Sequence, residues 1–248
     1  MPRDRRSAPP SPTPLPTFAL DTASPSLSLA VLDADEPVAE LWLGAVPGGG
    51  RRVLEAAHSL LGAAGVGVAD LDGVLVGVGP GGFTGLRIGI ATALGLGQAC
   101  GIEVRGASSL EAMALALADA SPGAHAVVPM LDARRRELFT AAYRPLGGSG
   151  LEELIPPTAL SPGALRERLH VLGDPSRIVV GGAGHAAAGD ALGGFRIGAT
   201  SGPEATPRAR DLGRRAAAGA TRPVAPVYAR LPDAEVNRRA REGQEGAA

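Results

Sequence analysis

Apolar and polar positions along this chain spell out one order of elements twice. In the first half, Thr17 to Leu20, Leu27 to Leu32 and Val38 to Leu43 read as short strands, and Arg51 to Ala64 as a helix. A buried strand over Val74 to Val78 follows, then a glycine turn, a helix from Gly85 to Cys100 and a strand starting at Glu103. The second half repeats the pattern with strands over Ala126 to Leu131, Glu137 to Tyr143 and Leu151 to Ile155. A helix from Gly163 to Leu169, a strand from Ile178 to Val180 and the turn Gly181-Gly182-Ala183-Gly184 complete it. Asp21 and Asp132 each end a first strand before a tight return. Periodicity alone predicts a mixed α/β sheet containing hairpins.

The glycine turn Val76-Gly77-Val78-Gly79-Pro80-Gly81-Gly82-Phe83-Thr84-Gly85 carries the strongest local signal. A strand-to-helix turn of this kind brings bare backbone N–H groups and a helix N-terminus towards an anion. Gly77-x-Gly79-x-x-Gly82 matches the dinucleotide pattern, which needs an acidic residue at the end of the next strand. Glu103 has the spacing but would begin its strand. All 24 basic residues are arginine, so the lysine of a P-loop, a kinase or a Schiff base cannot exist here. The remaining reading is a turn and cap, with Thr84 as N-cap. The helix that follows is apolar on nearly every side, which predicts burial all round. Its small residues Gly85, Gly89, Ala93 and Gly97 form a ridge suited either to the chain's own sheet or to another subunit.

These residues resemble the TsaB (YeaZ-type) family, whose hallmark Gly-Pro-Gly-Ser-Phe-Thr-Gly-(Leu/Val)-Arg-Ile-Gly appears at Gly79 to Gly89 with Gly82 in place of serine. Ala19-Leu20-Asp21-Thr22-Ala23, Ala107-Ser108-Ser109-Leu110, Leu131-Asp132-Ala133-Arg134 with Glu137-Leu138-Phe139, and Pro226-Val227-Tyr228-Ala229-Arg230 extend the likeness over about residues 17–231. Many family members carry a histidine just before the first helix, where this chain has Gly49-Gly50. The resemblance implies an α/β fold of duplicated RNase-H-like halves, as in the actin/Hsp70/sugar-kinase (ASKHA) superfamily. The halves would span residues 17–107 and 108–231, between a proline-rich extension (1–16) and a mobile tail (232–248).

The resemblance further implies a non-catalytic partner of a TsaD-type subunit. The complex would transfer threonylcarbamoyl from its adenylate to the adenosine 3′ of the anticodon, assisted by a TsaE-type ATPase and meeting tRNA only as a complex. The expected interface is Leu54, His58, Leu61, Gly85, Leu86, Gly89, Ile90, Ala93 and Gly97, a face through which the chain could also form a homodimer. Candidate nucleotide contacts are Asp21, Thr22, Gly79, Gly81, Gly82, Thr84, Gly181 and Gly182. No cofactor is expected on the chain alone, and ATP or ADP is expected at the partner junction. The aspartates compete with an ordinary role as turn formers, and Asp21-Thr22-Ala23 lacks the glycine usual in nucleotide-hydrolysing relatives. The alternatives are a stand-alone kinase or M22-like peptidase of the same superfamily and a dinucleotide-binding oxidoreductase.

Composition narrows this further. One cysteine, Cys100, sits in an apolar helix and argues against disulfides and metal clusters. His58, His125, His170 and His185 are scattered without metal-ligand spacing, and no catalytic or metal residue is assigned. No apolar run reaches membrane length, which together with a net charge of −1 predicts a cytoplasmic protein that binds nucleic acid poorly alone. The dense basic stretches, Arg134-Arg135-Arg136 and Arg208 to Arg215, read as solvated surface.

Overall fold

The computed structural model describes residues 16–34, 36–45 and 52–229. The expected extension up to Leu15, Gly49-Gly50, Arg51, Arg230 and the expected tail lie outside the described residues. The first sheet contains β1 (Thr17–Asp21), β2 (Leu27–Asp33), β3 (Glu36–Leu43), β4 (Gly73–Gly77) and β5 (Glu103–Ala107), with α1 (Val53–Ala63) between β3 and β4 and α2 (Phe83–Cys100) between β4 and β5. After α3 (Ser109–Asp119), the second sheet takes β6 (Ala126–Arg134), β7 (Glu137–Gly147), β8 (Gly150–Leu160), β9 (Ile178–Gly181) and β10 (Arg196–Ile197). Its helices are α4 (Pro162–His170), the short α5 (His185–Ala188) and α6 (Ala209–Ala217).

The strand orders are β3-β2-β1-β4-β5 and β8-β7-β6-β9-β10. In both sheets the central strand runs antiparallel to the hairpin strand after it and parallel to its other neighbour. The duplication read from the strand pattern is therefore a duplication of topology. β1 and β4 are buried at every residue because both faces of their sheet are covered.

The layers do not follow chain order. One face of the first sheet (Phe18, Leu20, Leu29, Val74, Val76) packs on α1 and α2 through Val53, Leu60, Leu61, Ile90 and Ala93. Its other face (Ala19, Ala30, Leu32, Leu75) packs on Ala112 of α3 and on Ala209 and Leu212 of α6. The second sheet meets α3 through Val127, Leu131 and Tyr143, and buries Met130 and Ala142 on its far side with Leu165 and Leu169 of α4. So α3 leaves the first sheet to lie under the second, and α6 returns from the second half to cover the first. The two helices form one shared middle layer, tied by buried Glu111, which accepts from Arg215 Nε at 2.8 Å and also from Arg222.

Residues after α6 also belong spatially to the first half. Arg222 and Gly106 exchange backbone hydrogen bonds, and Val227 N–H donates to the Val78 carbonyl at 2.8 Å. β5 ends at Ala107, but the segment from Ala209 to Ala229 crosses back to the first half, because the apolar face of α6 fits the uncovered face of the first sheet.

Candidate functional site

Asp21 ends β1 and is 2 % exposed. Its Oδ1 accepts from the Ala23 N–H at 2.8 Å and its Oδ2 from the Ser109 hydroxyl at 2.6 Å. Ser109 Oγ in turn accepts from the Gly79 N–H at 3.2 Å, and the Ser109 N–H donates to the Gly79 carbonyl at 3.1 Å. Burial pushes the Asp21 carboxyl up to about 6, while its two hydrogen bonds pull the other way. Ser108 is the N-cap of α3, accepting from the Glu111 N–H at 3.3 Å, while the next serine, Ser109, holds Asp21.

The glycine turn is shaped around this element. A Cβ on Gly77 would strike Asp21 Oδ2; on Gly81, the Ala23 carbonyl; on Gly85, the Thr22 carbonyl; on Gly89, Thr22 Oγ1. Thr22 Oγ1 donates to the Gly85 carbonyl at 2.8 Å, and the Gly82 N–H donates to the Ala23 carbonyl at 2.7 Å. Glycines recurring every fourth residue therefore form a socket for the Asp21–Ala23 turn. N–H groups at Gly79 and Gly82, expected to face an anion, are spent inside the chain. Gly82 is the N-cap of α2 without a side-chain bond, so Thr84 is not the cap; it lies exposed in the first turn.

The corresponding turn in the second half differs. Asp132 is exposed; its Oδ1 accepts from the Arg134 N–H at 2.7 Å and its Oδ2 pairs with the Arg134 guanidinium at 3.2 Å. Arg134, Arg135 and Arg136 have φ of 62°, 53° and 61°, the left-handed region. Such a conformation costs roughly 1–2 kcal/mol for each non-glycine residue. Arg135 and Arg136 form the two-residue loop between paired Arg134 and Glu137, a place where asparagine and glycine are usual. Gly181 and Gly182 are buried, with the Gly182 N–H donated to the Ala199 carbonyl at 2.7 Å. One apolar cluster, including Ala23, Leu86, Leu131, Ala133 and Phe139, joins the two aspartate turns. The cleft between halves is thus filled with side chains at the level of Asp21.

The expected interface residues divide. Leu54 is 59 % exposed and His58 is exposed on the outer side of α1. Leu61, Leu86, Ile90 and Ala93 are in the chain's own core, and Gly85, Gly89 and Gly97 press on Thr22 and Val104. The small-residue ridge therefore serves the chain's own sheet, which corrects its reading as a subunit contact. Nor is α2 buried all round: Arg87, Ala91, Leu94, Gly95, Gln98 and Ala99 are exposed, Leu94 at 46 %. The helical period fixes this, since positions facing the sheet exclude those half a turn away.

Two features escaped the sequence. Phe83 stacks on Tyr228 with centroids 5.4 Å apart, and the Arg87 guanidinium lies 3.7 Å from the Phe83 ring centre while its Nε–H donates to the Tyr228 hydroxyl at 3.2 Å. Nothing local joins residue 83 to residue 228. Tyr143 is the second: its buried hydroxyl has no hydrogen-bond partner, and burial, with Glu111 and Glu153 nearby, raises its pKa. Among the described residues, no three His, Cys, Asp or Glu side chains gather as a metal site, and no helix is long and apolar enough to cross a membrane.

Two RNase-H-like sheets sharing a middle helix layer give the chain the α/β fold of the ASKHA class. A family model described as TsaD, tRNA N6-adenosine threonylcarbamoyltransferase, matches residues 50–170. The chain is 33 % identical over 142 residues to the tRNA threonylcarbamoyladenosine biosynthesis protein TsaB of Bacillus subtilis, covering 56 % of this chain and 59 % of that one. It is 36 % identical over 94 residues to the protein of that name in Escherichia coli, covering 38 % and 40 %. The solved YeaZ from Pseudomonas aeruginosa superposes with a TM-score of 0.68 at 26 % identity, covering 86 % of this chain and 99 % of that one. In sequence and in fold the chain is thus similar to TsaB and YeaZ proteins. Its alignments span about half the length of the curated relatives.

Proposed function

We propose that this chain is an accessory, non-catalytic subunit in the formation of threonylcarbamoyladenosine next to the tRNA anticodon, paired with a TsaD-type catalytic subunit in the cytoplasm. One observation carries the pairing: Leu54 and Leu94 stand exposed on the outer sides of α1 and α2, which lie together on one face of the first sheet. Exposed leucines on adjoining helices suit a helix-to-helix contact. The same face suits a homodimer when the partner is absent. A TsaE-type ATPase joins the assembly, which meets tRNA as a complex.

The polar groups of the chain support an accessory role. Asp21 is buried and satisfied by Ala23 and Ser109, and the glycine-turn N–H groups at Gly79 and Gly82 have internal acceptors. ATP or ADP accordingly belongs at the junction with the partner, where Gly82 and Thr84 are the expected nucleotide contacts still open to solvent. Leu54→Arg with Leu94→Arg tests the reading, because both sites are exposed and the fold should keep its circular dichroism. Co-elution with the TsaD-type subunit of the same organism is expected to disappear. Undiminished co-elution would place the interface elsewhere.

A further inference from the structure

Besides Leu54 and Leu94, two groups of arginines stand open to solvent, Arg87 on α2 and the Arg134–Arg136 turn. The Arg134–Arg136 turn and the Phe83–Arg87–Tyr228 stack border one apolar cluster, which includes their chain neighbours Ala133, Leu86 and Ala229. Exposed Arg87 gives its Nε–H to Tyr228, a bond that does not use the terminal nitrogens of the guanidinium. Among the described residues no carboxylate pairs with Arg87 or with exposed Arg136. Arg134 is paired with Asp132, yet its side chain is 78 % exposed. Left-handed backbone at three successive arginines fixes the directions in which their side chains leave the turn, and strain of this kind gathers at functional positions.

We infer that a basic edge built from Arg87 and the Arg134–Arg136 turn contacts the phosphate backbone of RNA. The inference rests on the proposed role in tRNA modification. Guanidinium forks match phosphate oxygens two at a time, and a planar guanidinium held on an aromatic face keeps its edge free for such a bond. Exposed Phe83 and Tyr228 beside them give a base a surface to stack on. A net charge of −1 makes the whole chain no general polyanion binder, so the contact depends on these few cations.

The test titrates the complex of the full chain with the TsaD-type subunit onto a fluorescein-labelled, unmodified tRNA transcript at a series of salt concentrations. Arg136→Gly removes one guanidinium and suits the left-handed backbone better than arginine, so folding is retained. A double variant adds Arg87→Gln. Affinity is expected to fall about 3- to 10-fold for the first and about 10- to 100-fold for the second. The salt slope should shrink by about one for each arginine removed, with co-elution of the two proteins unchanged for Arg136→Gly. Equal affinity and slope in the double variant overturn the inference and leave the accessory role standing. Lost co-elution with unchanged RNA binding assigns the edge to a protein partner, which also overturns it. A wild-type chain that never pairs with the TsaD-type subunit contradicts the accessory role, and the inference falls with it.

Discussion

Gly89 and Gly95 belong to the same helix and call for opposite outcomes. A Cβ at Gly89 meets Thr22 Oγ1, whereas one at Gly95 meets nothing within 4 Å. Gly89→Ala should therefore destabilise the chain by about 1–3 kcal/mol through overpacking, and Gly95→Ala should stabilise it by about 0.5–1 kcal/mol. Urea denaturation of the two variants checks both signs. The spacing of glycines was legible in the sequence, but not what they make room for. Asp21 lies far from them in the chain and close only in the fold.

Asp21 makes a pH prediction of its own. Its carboxyl ionises near 6 in the folded chain against an ordinary 3.8, so the folded state holds the proton more tightly than the unfolded one. Stability from this group is complete below about pH 4 and is lost as pH rises through about 6, a change on the order of 3 kcal/mol. Asp21→Asn cannot titrate, so the stability difference between wild type and variant should move towards the variant between pH 4 and 7. A difference that stays flat would contradict the buried, ionisable reading. Tyr143→Phe removes an unpartnered buried hydroxyl and should leave stability unchanged or raise it by up to about 1 kcal/mol, measurable by thermal melting.

At the scale of elements, strands and helices were readable because their faces are simple. Continuous apolar runs gave β1, β2 and β4, and Ser108 and Ser161 are N-caps that chemistry alone can place. The middle layer was not readable. Whether α3 lies under the first or the second sheet depends on which uncovered face it fits, and the arginines of α6 read as solvated surface. Its Asp211 is fully buried between Arg208 at 2.7 Å and Arg214 at 3.1 Å, and Arg214 also reaches Asp119 of α3 at 2.6 Å. Those arginines clamp two helices and are not a surface track. Glu111→Ala should leave Arg215, itself 8 % exposed, as a buried cation and cost about 3 kcal/mol. A urea midpoint equal to wild type would show the joint held by apolar contacts alone.

For the molecule as a whole, duplication of topology explains both what this chain keeps and what it lacks. Each half retains an aspartate at the turn after its first strand. In this chain, though, the first aspartate is sealed by Ser109 and the second is tied to a strained arginine loop. Between them the cleft is filled by Leu86, Leu131, Ala133 and Phe139. The sequence showed two aspartates in equivalent places, but burial decides their use, and burial is a property of the packed pair of halves. What remains open to solvent is an apolar helix face and a basic edge, both of them surfaces for other molecules.

Threonylcarbamoyl transfer to a tRNA transcript, measured for the TsaD-type subunit with this chain, without it, and for this chain alone, tests the accessory role most directly. The account predicts product only when both proteins are present, and none when Leu54→Arg and Leu94→Arg are combined in this chain. Transfer by this chain alone, or full transfer in its absence, would contradict it.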